Sequence, residues 1–69
     1  MCNLPKRFKI VREEKGFTQK QVADAAKIGQ RQYQDYEYGN HTPSAVIFIA
    51  IAKAMKVSLD YLVGQSDDP

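Results

Sequence analysis

Apolar residues recur at helical intervals from Leu4 to Gly64, and no stretch alternates with the period of two that a strand face needs. Leu4, Phe8 and Val11 share one stripe that Gly16 ends, which predicts a first amphipathic helix over residues 5 to 15 after a short N-terminal arm. Phe17 bridges to a second helix. There Thr18 followed by Gln21 has the form of a capping box, with the hydroxyl accepting from the Gln21 backbone N–H and the Gln side chain returning to the N–H of Thr18. Val22, Ala25 and Ala26 give this helix its apolar face, while Gln19, Lys20 and Asp24 lie elsewhere around the axis. The period breaks over Lys27 to Gly29, and Gly29 serves as N-cap for a third helix. Advancing about 100° per residue from Gln30 puts Tyr33, Tyr36 and Glu37 on one side and Arg31, Gln34, Asp35 and Tyr38 on the other, with Gln30 and Gln32 at the flanks. Gly39 ends that helix as its C′ residue.

After a loop of Asn40 to Ser44, Thr42 and Pro43 fit an N-cap and first helical position, and a fourth helix is expected to run to about Lys56. Its pattern differs from the others. Ala45, Phe48, Ile49, Ala52 and Met55 already fill one stripe, yet Val46, Ile47, Ala50 and Ile51 make the rest of the circumference apolar too. Either neighbouring helices surround it or part of it faces another molecule. Ser58 caps a last short helix ending at Gly64, and Gln65 to Pro69 read as a loose polar tail.

Length and composition narrow the chemistry. Sixty-nine residues suit one domain with a small core and leave little room for an enzyme's deep pocket. The single cysteine, Cys2, cannot pair within the chain, and with the single His41 it offers no metal-ligand set, so no cofactor is expected. No paired carboxylates, nucleophile–base set or glycine-rich phosphate loop is visible, which argues against an enzyme. The longest apolar run, Ala45 to Ala52, falls short of the about 20 residues that cross a bilayer, and no signal peptide opens the chain. A cytoplasmic protein is expected. The net charge of +2 says little, but its distribution is lopsided: residues 1 to 31 hold eight Lys/Arg against three Asp/Glu, and residues 32 to 69 two against five. That asymmetry suits one basic face.

The order of motifs resembles the Cro/repressor-type helix-turn-helix family, the xenobiotic-response-element-like regulators of bacteria and phages. Its marks are REEKGFTQ with Arg12, Gly16, Thr18 and Gln19, then Val22 and Ala23, Ile28, the Glu37-Tyr38-Gly39 ending, Thr42-Pro43-Ser44, and VSLDYLVG at the end. The resemblance covers Leu4 to Gly64 and implies an all-α bundle of five helices of the lambda-repressor-like type. The second and third helices would form the helix-turn-helix. Departures from the family pattern sit at the turn and in the third helix. Lys27 stands where glycine is common and would need a left-handed backbone. Gly29 replaces the usual Ser cap, and Tyr33 and Tyr36 replace aliphatic core residues, so their hydroxyls need partners or solvent.

What the resemblance implies is a dimer bound to duplex DNA, the third helix entering the major groove by its N-terminal end. Gln30, Arg31 and Gln32 would read bases, Arg31 donating twice to guanine and Gln pairing with adenine. Gln34 and Asp35 sit one turn later, where Asp35 either accepts from cytosine N4 or orients Arg31. Gln19, at the start of the second helix, would clamp the sugar-phosphate backbone and hold Gln30, with Lys20, Lys27, Asn40 and His41 as further phosphate contacts. Arg12 and Glu37 would pair in a partly buried salt bridge that locks the third helix to the scaffold. Ile47, Ile51, Tyr61 and Val63 are the expected dimer contacts. The implied function is a sequence-specific transcriptional regulator, a repressor acting as a homodimer on a palindromic operator, bacterial or phage-encoded and at the nucleoid when bound. No membrane contact and no small-molecule effector is expected. Alternatives are an antitoxin or restriction-modification controller autoregulating its operon and, from another class, a protein-interaction module of the same fold without DNA affinity.

Overall fold

A computed structural model describes residues 4–64, and among these it contains helices and no strands. In chain order they are α1 (Leu4–Glu14), α2 (Gln19–Ala26), α3 (Gln30–Tyr38), α4 (Ala45–Ala54) and α5 (Leu59–Leu62). The N-terminal arm before Leu4 and the tail after Gly64 expected from the sequence lie outside the described residues. Pro5 falls within the first turn of α1, where its missing N–H removes no helical bond.

Capping chemistry sets most of the boundaries. The Thr18–Gln21 box is formed in both directions, at 3.0 Å and 2.9 Å. Lys27 ends α2 in the left-handed conformation, at φ 61° and ψ 41°, so that its N–H and that of Ile28 reach back to carbonyls in the last turn. Gly29 precedes α3 with an extended backbone and no side-chain cap, and Gly39 closes α3 at φ 81°. The fourth helix starts later than the Thr42-Pro43 pair suggested. Ser44 is its N-cap, its hydroxyl accepting from the Ile47 N–H at 3.3 Å, so Pro43 lies before the helix. A serine two residues beyond the threonine satisfies the same orphan donor, and the helix then ends at Ala54 instead of near Lys56, which itself takes a left-handed turn at φ 60°. Ser58 caps α5 as expected.

The core gathers one face from every helix: Phe8 and Val11, Val22, Ala23 and Ala26, Tyr33 and Tyr36, Ile51, Ala52 and Met55, and Leu62, with Val57 from the loop before α5. In α2 the buried flank is Ala23, and Ala25 is exposed, contrary to the expected face. Both alanines flank Val22 and Ala26 on the helical wheel, and the packing of α2 against α3 and α4 selects the Ala23 side. Phe8 meets Tyr33 and Phe48 with ring centroids 6.3 Å and 5.7 Å apart in tilted and edge-on geometries. Arg7 ties the short α5 to α1, its Nη2 and Nε donating to the carbonyls of Tyr61 and Leu62 at 2.5 Å and 3.3 Å. Its guanidinium also lies 5.5 Å from the Tyr61 ring centre.

The ambiguity in α4 resolves by position along the helix. Ile51 and Ala52 in its second half are buried, Ile51 fully so, while Ala45, Val46 and Ile49 in the first half stay exposed. Ala45, Phe48 and Ile49 line an open apolar groove of about 200 Å³ with Leu59, Asp60 and Val63 of the α5 region. Ile51 is therefore core and cannot be a dimer contact. Ile47 packs half-buried against the core, and Tyr61 is half-buried and occupied by Arg7, by Lys15 over its ring and by Glu14 at its hydroxyl. Of the four residues expected at an interface, Val63 alone lines the groove. No helix among the described residues is long and apolar enough to cross a membrane.

Candidate nucleic-acid interface

The helix-turn-helix is built by α2 and α3 around the left-handed Lys27, and a polar network fixes their mutual setting. Glu37 projects inward from α3, its side chain only 1 % exposed. Arg12 of α1 meets it side-on, Nε donating to Oε2 at 2.6 Å and Nη2 to Oε1 at 3.4 Å. The remaining Nη1 donates to the Phe17 carbonyl at 2.9 Å, so one guanidinium ties α1, the linker into α2, and α3. The bond to Glu37 raises the pKa of Arg12 further above its already high ordinary value, outweighing its burial.

From Glu37 the network runs outward. Gln19 Nε2 donates to Glu37 Oε1 at 3.1 Å, and Gln34 Nε2 donates to Gln19 Oε1, also at 3.1 Å. Gln19 thus holds Gln34 and Glu37, in place of the expected Gln30. Gln30 and Gln34 lie one turn apart on the same stripe of α3, and periodicity alone does not say which of them faces the start of α2. Gln32 is also engaged, its Nε2 donating to the Tyr36 hydroxyl at 2.8 Å, which gives that buried phenol its partner. The Tyr33 hydroxyl has none, although Glu37 and Arg12 lie near it. Burial first, and then the Glu37 carboxylate, push its pKa far above the usual phenol value.

On the outer face, Gln30 and Arg31 are exposed, and the Arg31 side chain is 88 % accessible. Asp35 stands between two partners. Its Oδ1 is 3.8 Å from Arg31 Nε and its Oδ2 3.9 Å from His41 Nε2. The carbonyl of Asp35 accepts from the N–H of Asn40 and of His41, which wraps the turn after α3 back over the end of the helix. Lys20, Lys27, Asn40 and His41 are all exposed. The geometry therefore gathers the expected α3 residues and Gln19 on one side of the molecule, but turns Gln32 and Gln34 toward internal bonds. The Asp35–His41 pairing was not foreseen, because no periodic pattern links a helix to the turn that follows it. Nor were the exposed Val46, Ile49 and Leu59, whose apolar character resembles that of the core. Among the described residues no three His, Cys, Asp or Glu side chains cluster closely enough to hold a metal ion.

Residues 8–62 match the family model described as "Helix-turn-helix". The HTH-type transcriptional regulator ImmR of Bacillus subtilis is 32 % identical over 65 residues, which are 94 % of this chain and 51 % of ImmR. The chain thus spans about half the length of that relative. Among solved structures, the restriction-modification controller protein C.AhdI from Aeromonas hydrophila superposes with a TM-score of 0.82 at 22 % identity, over 86 % of this chain and 89 % of that one, a likeness of fold alone. SinR, the master regulator for biofilm formation, crystallised in complex with DNA, superposes with a TM-score of 0.78 at 25 % identity, over 86 % of this chain and 95 % of that one; SinR comes from Bacillus subtilis.

Proposed function

The chain belongs to the helix-turn-helix family, and on that footing we propose that it is a sequence-specific reader of duplex DNA that regulates transcription, with α3 as its recognition helix. One observation carries the reading. The Arg12–Glu37–Gln19–Gln34 network braces α3 from its inner side while Gln30 and Arg31 stand exposed on the outer one. A rigid helix with a free Gln/Arg edge suits the major groove, where Arg recognises guanine and Gln adenine. Gln32 and Gln34 each commit one amide N–H to an internal bond that restrains the side chain, so the main reading falls to Gln30 and Arg31. Gln19 at the start of α2, with Lys20, Lys27, Asn40 and His41, contacts phosphates and sets the register. The ImmR name and the SinR–DNA complex support this reading.

One recognition helix covers few base pairs, and discrimination against a genome's competing sites calls for two half-sites. The occupant we assign to the apolar α4/α5 groove is accordingly a second copy of the chain, with Val46, Ile49, Leu59 and Val63 as contacts. A two-fold pair on a palindromic operator acts most simply as a repressor, by occlusion, in the cytoplasm and at the nucleoid when bound. Salt-titrated binding to duplex DNA tests the reading. The expected log–log slope is about −0.9 per phosphate contacted. Affinity that is absent, or that does not change with salt, contradicts DNA binding and favours a protein-interaction module. Sedimentation of the free and DNA-bound chain as a monomer at every concentration contradicts the two-fold assembly.

A further inference from the structure

The base-reading face carries a carboxylate, an odd group to present to a polyanion, and its surroundings suggest what it is for. Asp35 lies one turn after Arg31 on α3, with its side chain 22 % exposed. Its two oxygens have separate partners: Oδ1 faces Arg31 and Oδ2 faces His41 from the turn beyond the helix. The closest approach of Arg31 is through Nε, at 3.8 Å. That leaves both terminal Nη groups, the donors that match O6 and N7 of guanine, outside the pair's closest contact.

We propose that Arg31, Asp35 and His41 form one recognition unit, in which Asp35 is a positioning residue that holds the Arg31 fork for guanine and His41 anchors Asp35 from behind. The inference rests on the DNA-reading function above and deepens it, since it specifies a guanine in each half-site and names what makes its recognition selective. An exposed arginine samples many rotamers, and fixing its fork before contact reduces the ordering cost of a bidentate pair. A carboxylate here also repels phosphates, so a misplaced Arg31 cannot settle on the backbone without leaving Asp35 unpaired among negative charges. His41 Nε2 lies 3.9 Å from Asp35 Oδ2, and the His41 backbone N–H, 3.4 Å from the Asp35 carbonyl, holds the turn that places the imidazole there.

This role and a bystander role for Asp35 predict different patterns. Removing a bystander carboxylate raises affinity for all sequences and leaves their ranking unchanged. Removing a positioning residue raises affinity for unrelated DNA but lowers the preference for guanine. The test measures binding of the full chain and of Asp35→Asn, Asp35→Ala and His41→Ala to the preferred duplex and to duplexes substituted at each guanine. Helix content and melting temperature are checked for each variant. The expected result is a guanine preference of about tenfold in the parent, falling to about twofold in both Asp35 variants and partway in His41→Ala, together with tighter binding of unrelated DNA by the Asp35 variants. A guanine preference that survives in a folded Asp35 variant overturns the inference and leaves the DNA-reading function standing. No preferred sequence in the parent chain overturns that function, and this inference with it.

Discussion

Glu37 and Tyr33 lie side by side in the core and should respond oppositely to substitution. Glu37 accepts from Arg12 and Gln19, and Glu37→Ala would leave a largely buried guanidinium without its carboxylate. The expected loss is about 3–5 kcal/mol, close to the whole stability of a small domain, so the variant should melt far below the parent or not fold. A melting curve matching the parent's would remove the salt bridge from the account. Tyr33 carries a buried hydroxyl with no hydrogen-bond partner, so Tyr33→Phe removes an unpaid desolvation and should keep or raise stability by up to about 1 kcal/mol. The same variant should change the alkaline limb of stability. The unfolded phenol ionises near about pH 10, whereas the folded one holds its proton well above that. The Tyr33 contribution is therefore complete below about pH 10 and lost as pH rises beyond it. Chemical denaturation of parent and Tyr33→Phe between neutral and alkaline pH should show the shallower decline in the variant; parallel declines would contradict the assignment. The Arg12–Glu37 pairing was legible only through family likeness, since residues 25 positions apart share no local pattern. The partner of Tyr36 was not legible at all, because Gln32 reads as a surface residue until its bond is seen.

Helix boundaries were legible wherever capping is local. The Thr18–Gln21 box, the Gly39 terminus and the Ser58 cap all lie as the residue types dictate. Where two caps compete, as Thr42 and Ser44 do, the sequence leaves the choice to packing, and the helix starts after the second. The departure at Lys27 is a backbone cost and not a different turn: the residue takes the left-handed conformation that glycine would adopt freely. Lys27→Gly should accordingly stabilise the fold by about 0.5–1 kcal/mol in denaturant titration, even though glycine gains more unfolded-state freedom. It should also weaken binding to every DNA sequence alike, because the proposed phosphate contact goes with the side chain. An unchanged or lowered stability would show that the turn bears no strain. The exposed apolar positions of α4 are the least legible, since an apolar residue there looks the same in sequence whether it faces the core, like Ile51, or solvent, like Val46.

At the scale of the whole molecule, the five helices divide two tasks. Residues 1 to 31 carry the excess of Lys and Arg, and Arg12 braces α1 against α3 on the side where the proposed reading face lies. The first half of α4 and α5 carry the exposed apolar groove, which Arg7 secures to α1 through the α5 carbonyls. The polar pattern of residues 18 to 39 marks the outer face of α3, and the excess apolar content of α4 leaves open which of its residues stay exposed. In the proposed function α3 reads base sequence, with Arg31 its chief reader. Selecting bound sequences from a random duplex pool, with the parent chain and with Arg31→Ala in parallel, tests it most directly. The parent should yield a two-fold symmetric site with a guanine in each half, and Arg31→Ala should lose the preference at that guanine while keeping the rest of the site. An unchanged preferred sequence with uniformly weaker binding in Arg31→Ala, or no preferred sequence in the parent, would contradict it.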